Sequence, residues 1–187
     1  MRKLKKIIYY LRSLPILFFV KWNDDKLLLD LKRWKKVLNI KGNDRYILSY
    51  LLFRYKEFRN LFIYRNRLRK IFKCWIKIWY KPMESLYIEA KEIEGGLFIQ
   101  HGFSTMISAE YIGKNCWINQ QVTIGFKDNT KPPRIGDNVT ITCGAKVLGN
   151  IKVGNNSVIG ANSVVVKDVE DGTTMVGIPA HKLERRN

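Results

Sequence analysis

The sequence predicts a mainly β protein, a triangular coil of short parallel strands, preceded by an α-helical segment. Three observations predict it. An aliphatic residue recurs every six positions at Ile135, Ile141, Val147, Val153, Ile159 and Val165. Residues 1–82 carry no such period, and their apolar residues recur at helical spacing instead. Charge divides the chain at the same boundary. Residues 1–82 hold 23 Lys and Arg against 5 Asp and Glu, while residues 83–187 hold 11 of each, so the whole net charge of +18 is N-terminal. The expected organisation is a basic helical segment over 1–82, the coil over 83–172 and a C-terminal tail over 173–187.

The helical elements follow in order. In "NDDKLLLDLKRWKKVLNIKGND", Asn23 is the expected N-cap, with acids in the first turn. Leu27, Leu28, Leu31, Trp34 and Leu38 recur at helical spacing, and Gly42 is the expected stop. A second helix is expected from near Asp44 through "YILSYLLFRYKEFRNLFIY", and a third over "RLRKIFKCWIKIWY", ending before Pro82. Aromatic and basic residues alternate throughout. The pattern suits either an amphipathic bundle with solvated basic faces or a platform on an anionic membrane, where Trp, Tyr and Lys favour the headgroup region. Nucleic-acid binding has only the charge in its favour, because no recognised module is present. The longest apolar run, "LPILFFV" at 14–20, is far shorter than the roughly 20 residues that span a bilayer. No small-residue cleavage site follows it, so the expectation is a cytoplasmic protein, peripheral at the inner membrane face if the basic helices bind lipid. Cys74, Cys116 and Cys143 lie far apart with no CxxC spacing, which argues for a reducing compartment and against a disulfide framework or a zinc site.

The coil is read from its period. Six fits neither a helix at 3.6 nor a strand at 2. It fits a prism of three short parallel strands, about 18 residues per turn, with one aliphatic side chain pointing inward from each face. An earlier register gives Ile112, Ile118 and Ile124. Four residues after each later aliphatic stand Val139, Ala145, Ile151, Ser157, Ser163 and Val169, all small or branched. Gly, Asn and Asp between them tolerate the positive φ of tight corners. Two departures interrupt the period. Ile99 to Ile112 spans 13 residues, one more than two hexads, which places an extra residue just after His101. Ile124 to Ile135 spans 11, and the intervening "GFKDNTKPPR" reads as a loop leaving the prism. Departures from a regular scaffold commonly build sites. The stretch "FIQHGFST" puts His101, one of two histidines in the chain, beside the first.

These residues resemble a known family. "GLFIQHGFSTMISAEYIGKNCWINQQVTIG", "IGDNVTITCGAKVLGNIKVGNNSVIGANSVVVKDV" and "VGIPAHKL" are similar to the hexapeptide-repeat acyltransferases, nearest the serine O-acetyltransferases and the polysaccharide O-acetyltransferases. "FRNLFIYR" at 58–65 looks like a helix that precedes the prism in the serine branch. The resemblance implies a left-handed parallel β-helix assembled as a homotrimer, with acetyl-CoA as co-substrate in the groove between prisms and no metal. It places the catalytic histidine on His101 and cofactor contacts on Cys143, Gly144, Gly160, Ala161, Lys167 and, in the tail, His181. Lys167 would meet a CoA phosphate or stand as a solvated corner lysine. Gln100, Asn119 and Gln120 are the expected acceptor contacts, although the last two suit a corner ladder equally well.

Acetyl transfer from a thioester to an alcohol needs a base near neutral pH, and imidazole supplies one. Backbone N–H groups at small-residue corners suit the developing negative charge. The prism-sharing γ-carbonic anhydrases use three histidines, so this chain with two is excluded from that activity. Against the serine pattern, Gln100 stands where an Asp precedes the histidine, Leu86 where an orienting Asp is usual, and Pro132 where a second histidine is usual. The expected acceptor is therefore a sugar hydroxyl in bacterial surface polysaccharide biosynthesis, with serine O-acetylation for cysteine biosynthesis as the alternative. A trimeric, non-catalytic scaffold binding membrane through its basic helices is the rival of another class. A backbone carbonyl, or one of Glu84, Glu89 and Glu110, is left to orient the imidazole.

Overall fold

Inward-facing aliphatic residues set the cross-section of the second half of the chain. The computed structural model describes residues 2–128 and 131–184, and they fall into two compact units that meet in sequence between Met83 and Glu84. From Glu84 onward the chain winds as a parallel β-solenoid with three faces. The first face stacks β1 (Leu86–Ile88), β4 (Thr105–Ile107), β7 (Thr123–Gly125), β10 (Lys146–Leu148) and β13 (Val164–Val165). The second stacks β2 (Glu92–Ile93), β5 (Tyr111–Ile112), β8 (Arg134–Ile135) and β11 (Lys152–Val153). The third stacks β3 (Phe98–Ile99), β6 (Trp117–Ile118), β9 (Thr140–Ile141), β12 (Val158–Ile159) and β14 (Thr174–Val176). A last strand, β15 (His181–Lys182), pairs antiparallel with β14, so part of the expected tail closes the prism as a hairpin. Arg185 to Asn187 lie outside the described residues.

Register follows the hexad residues. Ile99, Ile118, Ile141 and Ile159 stack on the third face, and Ile107, Ile124, Val147 and Val165 on the first. All eight are buried, each contributing about 1.5–3 kcal/mol by leaving water. The corner between the second and third faces is a polar ladder. Lys114 N–H donates to Asp137 Oδ1 (2.7 Å), Asp137 N–H to Asn155 Oδ1 (2.7 Å) and Asn155 N–H to Asp171 Oδ1 (2.8 Å). The coils stack so closely here that a methyl group on Gly136 would lie 2.7 Å from Asn155 Oδ1, which is why glycine recurs in "IGDN" and "VGNN".

Among the described residues the first unit holds five helices: α1 (Arg2–Phe19), α2 (Asp25–Val37), α3 (Asp44–Arg54), α4 (Lys56–Arg65) and α5 (Lys70–Trp79). Three expectations need correction. The N-cap of α2 is Asp24, not Asn23, because the Asp24 carboxylate accepts from the N–H groups of Lys26 and Leu27. The helix stops at Leu38, where Asn39 turns left-handed (φ +49°), before Gly42 is reached. The single helix expected from Asp44 is broken at Tyr55 (φ −119°, ψ 108°) into α3 and α4. Arg59 stabilises that break, donating from Nε to the Leu52 carbonyl (2.7 Å) and from Nη2 to that of Phe53 (2.8 Å). Inside the unit, Arg65 Nε and Nη2 grip the buried Asp30 carboxylate at 2.8 and 3.2 Å. Tyr80 and Ser13 share a buried hydroxyl pair at 2.8 Å, and burial pushes the Tyr80 phenol up from its ordinary value.

Candidate active site

The site grows from the corner that joins the third face to the first. In three of its layers the corner is a four-residue turn: Asn119–Val122, Thr142–Ala145 and Gly160–Ser163. The N–H of Ala145 donates to the Thr142 carbonyl (3.3 Å) and that of Ser163 to Gly160 (3.2 Å), each closing a β-turn. The third turn residue has positive φ in every case, at Gln121 (+59°), Gly144 (+72°) and Asn162 (+57°). Its N–H reaches back one layer: Gln121 to Phe103, Gly144 to Gln120 and Asn162 to Cys143, at 2.9–3.0 Å. The second turn residues, Gln120, Cys143 and Ala161, therefore stack in one column. Among the described residues the amide N–H groups of Cys143 and Ala161 donate no hydrogen bond.

Below this column the corner is longer. Ile99 to Ile107 spans eight positions, against six for Ile118 to Ile124, Ile141 to Val147 and Ile159 to Val165. The following corner, Ile107 to Ile112, takes five where Val147 to Val153 takes six. The single extra residue expected from the sequence is thus two inserted at His101 and one removed at the next corner. Both insertions go into Gln100–Ser104. His101 (φ +61°) and Ser104 (φ +51°) both take left-handed backbone, which costs a non-glycine residue about 1–2 kcal/mol. The His101 carbonyl accepts from the Phe103 N–H, and its side chain is exposed. Thr105, itself buried, braces the loop from inside by donating to the Phe103 carbonyl (3.2 Å).

The other expected site residues divide by position. Gln100 is half-buried; its N–H donates to the Ile118 carbonyl (2.9 Å) and its Oε1 accepts from Trp117 Nε1 (3.2 Å). Trp117 in turn stands edge-on to Phe98, with ring centroids 4.8 Å apart. Asn119 Oδ1 and Gln120 Oε1 are buried without a hydrogen-bond partner among the described residues. Gly144 is explained by its own coil, because a Cβ there would overlap the Asn162 side chain. Gly160 is tight too, with Val176 Cγ1 2.8 Å from where a Cβ would sit. Lys167 is not on this corner; it follows β13 and lies toward the second face. His181 is exposed on β15 with its ring against Gly177, five strands along the third face from β3 and His101 and so about 24 Å along the axis.

None of the three candidate carboxylates hydrogen-bonds His101 among the described residues. Glu110 is committed elsewhere. Its Oε1 accepts from Lys91 Nζ (2.7 Å), and that bond holds its carboxyl below the usual range. Trp117 and Thr105 were not legible as site residues. Only the periodic register, which sets Trp117 one layer from Phe98 and Gln100, would have raised them. Of the loop after β7, residues 129 and 130 lie outside the described residues, and Pro132 is half-buried.

Comparison with known proteins adds what geometry does not. Residues 132–167 match the family model described as bacterial transferase hexapeptide (six repeats). A serine acetyltransferase of Staphylococcus aureus is 51% identical over 89 residues, covering 46% of this chain and 42% of the relative. The chain thus spans about two fifths of the length of the curated relatives it matches. Among solved structures, a Neisseria gonorrhoeae serine acetyltransferase in complex with serine superposes with a TM-score of 0.62 at 31% identity, covering 83% of this chain and 67% of that one. A serine acetyltransferase in complex with CoA superposes with a TM-score of 0.66 at 26% identity, covering 85% and 69%.

These relatives overturn the expected sugar acceptor and the place in polysaccharide assembly, since their names point to serine. Two of the departures that suggested a sugar have a structural explanation. Leu86 is an inward residue of β1, 4% exposed, so its apolar character is set by the prism interior. Gln100 keeps a polar acceptor beside His101, held by Trp117. The repeat, the solenoid it builds and these matches agree: the chain belongs to the hexapeptide-repeat transferases.

Proposed function

We propose that this chain is a serine O-acetyltransferase, transferring acetyl from acetyl-CoA to the hydroxyl of L-serine on the route to cysteine. The observation that carries the reading is the identity of 51% over 89 residues with relatives named serine acetyltransferase. The corner geometry suits the chemistry. His101 projects from the lengthened corner into solvent, where it can take the hydroxyl proton as the oxygen attacks. Bound acetyl-CoA would supply the acetyl group as an activated thioester. Cys143 and Ala161 present small side chains and amide N–H groups that donate no hydrogen bond among the described residues, which suits the carbonyls of an extended pantetheine arm. Gly144 and Gly160 keep the same surface flat, and His181, exposed on the last strand of the third face, is the basic group left to contact the cofactor's far end. Asn119 Oδ1 and Gln120 Oε1 are acceptors in want of donors, which a substrate ammonium carries.

The assembly we infer is a homotrimer with the site in the cleft between neighbouring prisms. Phe103 on the corner and Tyr87 and Met106 on the first face are exposed apolar residues beside the His101 corner. Burying them against a second prism would close the site from water, as such patches commonly do. Three free cysteines suit a reducing, cytoplasmic setting.

Purified protein should release CoA from acetyl-CoA when L-serine is present and not with free sugars. His101→Ala should lower turnover by about 10²–10⁴-fold with the trimer mass unchanged in light scattering. Release with sugars and not with serine would refute the acceptor, and an unimpaired His101→Ala enzyme would refute the base.

A further inference from the structure

Helix α1 is apolar on two faces. Tyr9, Ser13, Ile16 and Val20 line the face buried within the helical unit, where α1 packs on α3. Ile7, Leu11, Leu14 and Phe18, spaced four, three and four apart, form a second stripe that is exposed, Phe18 by 82%. Helix α5 runs antiparallel beside it. Arg12 Nη2 donates to the Trp79 carbonyl (2.6 Å), while Phe19 meets Phe72 with centroids 6.4 Å apart. Along this pair Ile78 and Trp79 are exposed too, and Leu68 at the entrance to α5 is 91% exposed. Between them lies an open groove of about 690 Å³, lined by Phe19, Leu68, Arg69, Lys70, Phe72 and Trp75. Arg69 lies over the Phe72 ring at 4.3 Å, so its apolar stem covers the aromatic while its charge faces out.

Two physical facts choose the occupant. The surface is apolar enough to leave water, yet the segment that carries it holds 23 basic against 5 acidic residues. A second copy of so basic a surface would meet like charge, whereas an anionic bilayer meets opposite charge and accepts the apolar stripe at headgroup depth. Among the described residues no helix is long and apolar enough to cross a membrane, so the contact is one of lying on the surface. We infer that the exposed face of α1 and α5 docks on an anionic lipid surface, with Leu11, Leu14, Phe18, Leu68, Ile78 and Trp79 entering the interface and Arg69, Lys70 and Lys77 meeting lipid phosphates. The inference is independent of the acceptor and the chemistry proposed for the solenoid.

The test is co-sedimentation of the full chain with vesicles of phosphatidylcholine alone or mixed equally with phosphatidylglycerol. Binding to the mixed vesicles should exceed binding to the neutral ones by at least about tenfold and fall as salt is raised. Leu14→Asp with Phe18→Asp should reduce it by about tenfold or more, because both the apolar insertion and the charge match are lost. Both positions are exposed, so circular dichroism and CoA release with serine should match the parent. Equal binding to the two vesicle types, or binding unchanged in the double variant, would overturn the proposal. So would failure to bind vesicles together with a double variant of lower mass in light scattering, which would assign the face to a second copy.

Discussion

His101 is left-handed at the second position of its corner, whereas in the layers above the left-handed residue is the third, at Gln121, Gly144 and Asn162. Gln120, Cys143 and Ala161 stand in tight four-residue turns, while His101 stands in a lengthened loop with left-handed backbone at both His101 and Ser104. Such strain persists only where surrounding contacts impose it. Here those contacts are Thr105 from inside, through its bond to the Phe103 carbonyl, and Gln121 one layer above, whose N–H donates to the same carbonyl at 3.0 Å. Gln100 is fixed independently by Trp117. Trp117→Phe keeps the ring packing against Phe98 and deletes the single N–H donor. It should cost about 0.5–1.5 kcal/mol in urea unfolding, and raise KM for serine more than it lowers kcat if Gln100 contacts the acceptor. An unchanged KM would remove Gln100 from the acceptor site.

Elements show how locally irregular spacing becomes a site. Two residues inserted at one corner and one removed at the next leave the inward positions Ile107 and Ile112 in line with Ile124 and Ile135. The insertion therefore bulges outward without disturbing the core. Deleting Gly102 and Phe103 restores the six-position corner, and the variant is expected to keep the solenoid's β signature in circular dichroism while losing CoA release. Loss of the fold on deletion would mean that the bulge is structural. In the helical unit the corresponding keystone is Asp30, almost wholly buried and gripped at two points by Arg65 across 35 residues of sequence. Breaking a buried ion pair strands the other charge, so Asp30→Ala should cost about 3–5 kcal/mol in denaturant unfolding of that unit. The solenoid should keep its own transition, since its core shares no residue with this pair.

At the scale of the whole molecule two units carry separate properties: one has all the excess charge, the other the hexad core and the His101 corner. By itself the sequence determined the solenoid, its inward residues, the charge boundary and the presence of a break beside His101. These are readable because a period of six is local: each inward aliphatic is set by its nearest neighbours in the chain. The sugar acceptor was read from three single positions, Gln100, Leu86 and Pro132, and the relatives overturn it; of the three, Leu86 answers to the prism interior. Only tertiary structure decided what lies one layer away. Whether Gln100 meets Trp117, whether Gln120, Cys143 and Ala161 form one column, and whether Lys167 leaves it all depend on the summed lengths of intervening corners, and a net count of one extra residue hides two gains and a loss. The break at Tyr55, the pairing of Asp30 with Arg65 and the second apolar face of α1 share that cause. Each is fixed by a segment distant in sequence, and local periodicity carries no information about distant partners.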